Sequence, residues 1–179
     1  MMTEPHTLPD DSPIFLVGFM GAGKTTVGRA LARNLNYEFL DLDELIEAET
    51  GKSVQAIFAE LGQAEFRQLE SEAIASCVEL KRAVIALGGG AYMSAENRAK
   101  LRSIGKAVWL DCPLEVCLRR VGGDESRPLL GSGPEMSALL DHRRPGYAEA
   151  DYVVATGERS AGQIALEIVR MLASQPRSG

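Results

Sequence analysis

The residues best able to do chemistry stand in one stretch, Gly18-Phe19-Met20-Gly21-Ala22-Gly23-Lys24-Thr25, which fits the pattern GxxxxGK[ST] at every position. Glycines let a backbone turn tightly and aim several N–H groups at phosphate oxygens. A helix starting there adds the partial positive charge of its N-terminus. In such a cradle Lys24 serves the β- and γ-phosphates and the Thr25 hydroxyl ligates Mg²⁺. A plain glycine-rich turn with a solvated lysine is the alternative, and it leaves the complete match unexplained. The motif points to a nucleoside triphosphate without separating a GTPase, a motor ATPase or a small-molecule kinase. A guanine-reading Asn/Thr-Lys-x-Asp run is not found; the nearest stretch, Asn97 to Lys100, lacks the Asp. The apolar run before Gly88 ends in glycines, not in the Asp-Glu pair usual in motors. A small phosphotransferase is the class that remains.

Further candidates lie downstream. Asp41 and Asp43 close an extended segment, where residues i and i+2 share one face. One carboxylate can support Mg²⁺ through water and the other can take the proton of an acceptor hydroxyl. Equally, Asp43 can be the N-cap of the helix that follows. Arg67 has Glu70 three residues on, within reach on one helix face. That pair either aims the guanidinium or is a surface ion pair. Arg143 and Arg144 precede Pro145 and Tyr147 and are solvated by default, but two arginines meeting at one site make a carboxylate clamp. Gly88-Gly89-Gly90 allow close approach of backbone to ligand, more than a simple turn needs. Arg127-Pro128-Leu129-Leu130 sit in a glycine-bearing loop, and an arginine there suits a lid that brings charge onto a transferring phosphate.

Positioning these groups requires alternating strands and helices. Apolar runs at Ile14–Val17, Glu38–Leu40, Ala83–Leu87, Ala107–Leu110 and Tyr152–Val154 read as five strands. Helical patterns cover about 23–34, 42–49, 53–60, 63–80, 94–103, 113–120, 134–146 and 160–173. Pro113 suits a first turn, Ser94 a cap, and Ser160 with Gln163 a capping box. The expected fold is α/β: a five-stranded parallel sheet flanked by helices on both faces. Ligands bind beyond the carboxyl ends of such strands, where the polar and glycine-rich segments fall. Residues 1–12 read as a flexible leader and 13–179 as a single domain, with a lid at about 121–133.

Composition narrows the class. Over 179 residues, 19 Lys+Arg against 25 Asp+Glu give a net charge of −6, which opposes general nucleic-acid binding. No apolar run is long enough to span a membrane. Cys77, Cys112 and Cys117 have neither disulfide nor zinc spacing, and His6 and His142 are far apart. The polar start lacks the features of a secretory signal, so a cytoplasmic enzyme is expected.

Together these features resemble the shikimate kinase family. The resemblance runs from about Ile14 to the last helix. It is carried by GFMGAGKTTVGRALA, FLDLDELIE, ETGKSVQAIFAELGQAEFRQLE, ALGGGA, RPLL, and RRPGY followed by AEAD, in the family's order and intervals. It implies a P-loop kinase architecture with a mobile lid, and transfer of a phosphoryl group from ATP to the 3-hydroxyl of shikimate on the way to chorismate and the aromatic amino acids. It also implies roles. Gly21, Ala22, Gly23, Lys24, Thr25 and Thr26 would hold the ATP phosphates, with Lys24 as charge clamp and Thr25 on Mg²⁺. Asp41 would support Mg²⁺ through water. Asp43 would bind the ring hydroxyls, as base or as orienting group. Arg67 and Arg143 would grip the substrate carboxylate, and Gly89 would contact substrate through its backbone. Arg127 would be the lid arginine, and Arg120 would pack against adenine. The implied partners are ATP and shikimate, with neither nucleic acid nor membrane, and a monomer is expected. Two details depart from or refine the pattern. Ala161 falls where family members often carry Pro, and Arg143 fits the R-x-P-x-Y spacing better than Arg144. The competing readings are a gluconate or nucleoside-monophosphate kinase, or a silent nucleotide-binding module. Retention of Lys24, Asp43 and Arg127 together speaks against the last.

Overall fold

All four residues of the first strand, β1 (Ile14–Val17), are buried. Side chains alternate across a strand, so burial on both faces requires a central position in a sheet covered on both sides. The computed structural model, which describes residues 8, 10–122 and 133–174, puts β1 there. The other strands are β2 (Glu38–Asp41), β3 (Ala83–Ala86), β4 (Lys106–Asp111) and β5 (Tyr152–Ala155). Their order is β2-β3-β1-β4-β5 and every pairing is parallel. Parallel neighbours need crossover helices. These are α1 (Lys24–Leu35), α2 (Leu42–Thr50), α3 (Val54–Ser76), α4 (Ala95–Ile104), α5 (Leu114–Gly122), α6 (Gly133–Tyr147) and α7 (Ala161–Ala173). The result is the expected α/β fold with helices on both faces. Among the described residues, no helix is long and apolar enough to cross a membrane.

The core follows from periodicity. α1 buries Val27, Leu31 and Leu35 and lies against α7, which buries Ile164, Ile168 and Leu172 at helical spacing. Ser53, Ser94 and Ser160 cap α3, α4 and α7 through their side chains, and Ser160 with Gln163 completes a capping box.

Several local expectations are refined. The two helices expected over 53–60 and 63–80 are present as the two halves of α3, separated at Gly62, whose non-helical backbone (φ 84°, ψ 175°) is open to glycine. It ends at Ser76, and a short 3₁₀ turn, Cys77–Glu79, follows. Pro113 stands just before α5, not inside its first turn, and its carbonyl accepts from the Val116 and Cys117 N–H groups. Asp43 is not in an extended segment, because α2 begins at Leu42. Residues next to β1 that were read as leader are joined to the sheet edge: Arg82 N–H donates to the Asp11 carbonyl at 2.8 Å, and the Tyr37 hydroxyl to that of Asp10 at 3.3 Å.

In sheet order β2, β3 and β1 are neighbours, so their carboxyl ends lie side by side. Asp41 ends β2, the glycine run follows β3, and the phosphate-binding sequence follows β1. One stretch of sheet edge thus carries three of the six candidate segments.

Candidate active site

The loop between β1 and α1 turns through left-handed backbone at Gly21 (φ 75°) and Gly23 (φ 96°). At Gly21 no other residue fits: a Cβ would stand 2.6 Å from the Cys117 carbonyl oxygen and 2.7 Å from Val121 Cγ2 on α5. Gly23 is the N-cap of α1 and supplies no side-chain hydrogen bond, whereas α2, α3, α4 and α7 are all capped by an Asp or Ser. The first N–H groups of α1 are therefore directed to an anion, with the helix dipole behind them. Lys24 Nζ reaches back over the loop and donates to the Gly18 and Phe19 carbonyls at 2.8 and 3.0 Å. The ammonium is thereby held above the cradle.

At the end of β2 the Thr25 hydroxyl donates to Asp41 Oδ2 at 3.0 Å. The other Asp41 oxygen accepts from the Asp43 N–H at 3.0 Å, so Asp41, not Asp43, is the cap of α2. Asp43 sits in the first turn of that helix, yet both carboxylates line the same cleft. The Thr25 and Asp41 oxygens are hard donors side by side at the cradle. That suits Mg²⁺, which is commonly held by one or two protein oxygens together with substrate phosphates and water. No cluster of three or more His, Cys, Asp or Glu able to cage a metal is found among the described residues.

The glycine turn after β3 is where the remaining candidates meet. A Cβ on Gly88 would lie 2.9 Å from both Asp43 Oδ1 and Glu70 Oε1. A Cβ on Gly89 would lie 2.9 Å from Arg143 Nη1, and one on Gly90 would fall onto the Arg67 guanidinium. The turn is bare because charged side chains from α2, α3 and α6 occupy the space around it. Arg67 is ion-paired to Glu70, and Glu70 is 1% exposed, so this is not a surface pair. Burial raises the Glu70 pKa and the nearby Asp43 adds to that, while Arg67 opposes both. Arg143 lies 5.8 Å over the Phe19 ring, between the turn and the cradle loop. Its neighbour Arg144 points elsewhere, to Asp111 at 3.5 Å and over the Trp109 ring.

The cleft has a volume of about 270 Å³ and is lined by Gly21, Gly23, Lys24, Thr25, Thr26, Asp41, Asp43, Gly88, Gly89 and Arg120, among others. Ala22 is buried within the loop. Arg67 and Arg143 border the glycine turn without lining the cleft itself. Arg120 on α5 donates to the Gly21 carbonyl at 3.2 Å and to the Gly157 carbonyl, in the turn after β5, at 2.9 Å. It thus ties the cradle to the β5–α7 connection. Arg127 lies outside the described residues. Two residues of the site carried no role of their own in the sequence reading. Glu70 figured only as a partner of Arg67, and its i, i+3 spacing gave no sign of burial. Tyr147 figured only as part of a spacing, yet its hydroxyl donates to the Gly89 carbonyl at 2.6 Å.

Comparison with known proteins follows this geometry. The family model described as Shikimate kinase matches residues 20–173. A shikimate kinase from Moorella thermoacetica is 47% identical over 161 residues, covering 89% of this chain and 93% of its own length. Among solved structures, a shikimate kinase from Acinetobacter baumannii in complex with shikimate superposes with a TM-score of 0.87 at 41% identity, covering 91% of this chain and 93% of the other. The shikimate kinase of Aquifex aeolicus gives 0.80 at 36% identity, covering 93% and 99%.

Proposed function

The chain belongs to the shikimate kinase family, and we propose on that basis that its cleft transfers the γ-phosphoryl group of ATP to the 3-hydroxyl of shikimate, a step toward chorismate and the aromatic amino acids. The observation that supports the site assignment best is the meeting of Asp43, Arg67 and Arg143 at Gly88–Gly90, next to the phosphate cradle.

Phosphoryl transfer needs little covalent help; it needs alignment and positive charge on the equatorial oxygens. The cradle from Gly21 to Thr26 holds the triphosphate through N–H groups, and Lys24 leaves its carbonyl partners for the β- and γ-phosphates. Thr25 and Asp41 would hold Mg²⁺, which when bound with ATP supplies further positive charge to the phosphate oxygens. Arg127 adds charge from the chain beyond α5. Arg120 braces the cradle on the base side.

At the acceptor end Arg67 and Arg143 form two charge-assisted contacts with the shikimate carboxylate. Glu70 keeps Arg67 aimed. Asp43 accepts the hydrogen bond of the 3-hydroxyl and takes its proton as the oxygen attacks the γ-phosphorus. The bond from that phosphorus to the bridging oxygen breaks, and ADP leaves. The Gly89 backbone meets the acceptor where a side chain would obstruct it.

ADP release measured with shikimate, gluconate and AMP as alternative acceptors tests this reading. Shikimate-dependent turnover is expected. Turnover with gluconate or AMP and none with shikimate would overturn it.

A further inference from the structure

We propose that Tyr147 is a positioning residue: its hydroxyl anchors the Gly89 carbonyl one helical turn from Arg143 and so fixes the acceptor-contacting backbone relative to the carboxylate-gripping fork. The inference rests on the reading of Arg143 as a clamp and extends it to a residue with no assigned role.

The geometry is specific. Tyr147 is the last residue of α6 and is fully buried. Its hydroxyl donates to the Gly89 carbonyl oxygen at 2.6 Å. Arg143 stands four residues earlier on the same helix, one turn away on the same face. A phenol has one proton to give, and here it goes to the backbone of another element. The space above Gly89 shows how closely they gather: a Cβ there would stand 2.9 Å from Arg143 Nη1 and 3.6 Å from Tyr147 Oη. The ring is held from behind by Trp109, at 5.9 Å between centroids. Burial pushes the phenol pKa up to about 12, so the proton given to Gly89 is present throughout the neutral range.

A tyrosine that only fills the core would also want one partner for its hydroxyl. Such a residue need not stand beside Arg143. Without the hydroxyl the Gly89 carbonyl loses the donor that sets the pitch of the turn, and the turn shifts against the guanidinium that flanks it. Both changes fall on the acceptor side. The residues that would hold ATP, Gly21 to Thr26, lie on α1 and the end of the loop before it, and Arg143 meets that loop at the Phe19 ring instead.

The test compares wild type, Tyr147→Phe, Arg143→Lys and the double variant, reading kcat, KM for shikimate, KM for ATP and Tm. Losing the buried hydroxyl is expected to raise KM for shikimate about 5- to 150-fold in Tyr147→Phe, the range for an orphaned buried hydrogen-bond partner. KM for ATP should stay within about twofold, and the Tyr147→Phe effect should shrink in the Arg143→Lys background, as coupled neighbours require. Trp109→Phe loosens the packing but keeps the hydroxyl, and should leave KM for shikimate within about twofold. The proposal falls if Tyr147→Phe keeps the wild-type KM for shikimate, if both KM values rise together as Tm drops, or if Trp109→Phe matches its effect. An Arg143→Lys variant with unchanged KM for shikimate would instead overturn the clamp on which it rests.

Discussion

Replacing Gly90 with alanine isolates the acceptor clamp from everything else in the site. The backbone there (φ −101°, ψ −17°) is open to any residue, so alanine brings no conformational strain. The atoms nearest the new methyl all belong to the Arg67 guanidinium, whose Cζ would lie 2.5 Å from it. That group is the end of a flexible, 34% exposed side chain, so it swings aside and the fold stays intact. Glu70 then loses its counter-charge, which pushes its already raised pKa further up. The cost to the acceptor is one charge-assisted contact, about 1.5–3 kcal/mol, or about 10- to 150-fold in KM. Initial rates at saturating ATP with varied shikimate, beside a thermal melt, give the answer. KM for shikimate should rise within that range while KM for ATP holds and Tm shifts by about 2–4 °C or less. A folded Gly90→Ala enzyme with wild-type KM for shikimate would show that Arg67 does not hold the acceptor.

Three further outcomes are expected. Asp43→Ala should lower kcat by about 10²–10⁴-fold, the usual worth of a positioned base, while ATP binding measured by calorimetry persists. Thr25→Val removes the hydroxyl paired with Asp41 and should raise the Mg²⁺ concentration for half-maximal rate by about tenfold, equal to about 1.4 kcal/mol. The Tyr147 phenol holds its proton to about 12 in the fold against 10.0 for the ordinary group, so the unfolded chain releases it first and stability falls as pH climbs through that interval. This costs up to about 2.7 kcal/mol by the top of the interval; Tyr147→Phe should lack that part of the slope in urea melts.

The parts of the site that are contiguous in the chain were readable in the sequence, and the parts built by approach in space were not. The stretch from Gly18 to Thr25 carries its own turn, cap and charge, so its pattern alone implies its place between a strand and a helix. The buried strands were equally plain, because β1 and β3 are apolar throughout. Asp41 and Asp43 show the limit. Their spacing suggested one strand face, but Asp41 accepts the Asp43 N–H and starts the helix between them. Glu70 shows another. Its pairing with Arg67 follows from helix geometry, but its burial depends on α3 lying against the glycine turn, which no local pattern states. Arg143 and Arg144 are adjacent and hence point apart on a helix; the R-x-P-x-Y spacing favoured Arg143, and it is Arg143 that stands beside Gly89 while Arg144 turns to Asp111. Arg120 was expected against adenine; its hydrogen bonds to Gly21 and Gly157 place it at the rim of the cradle.

The glycine cap of α1 bears on how this protein behaves in the tube. A helix whose leading amides await an anion leaves part of its own stabilisation in the ligand's hands. Any phosphate-bearing compound that seats there raises the melting point in proportion to the logarithm of its concentration over its Kd. Thermal-shift screening can therefore rank nucleotides and inorganic anions before any rate is measured, and storage buffers containing them will lengthen shelf life.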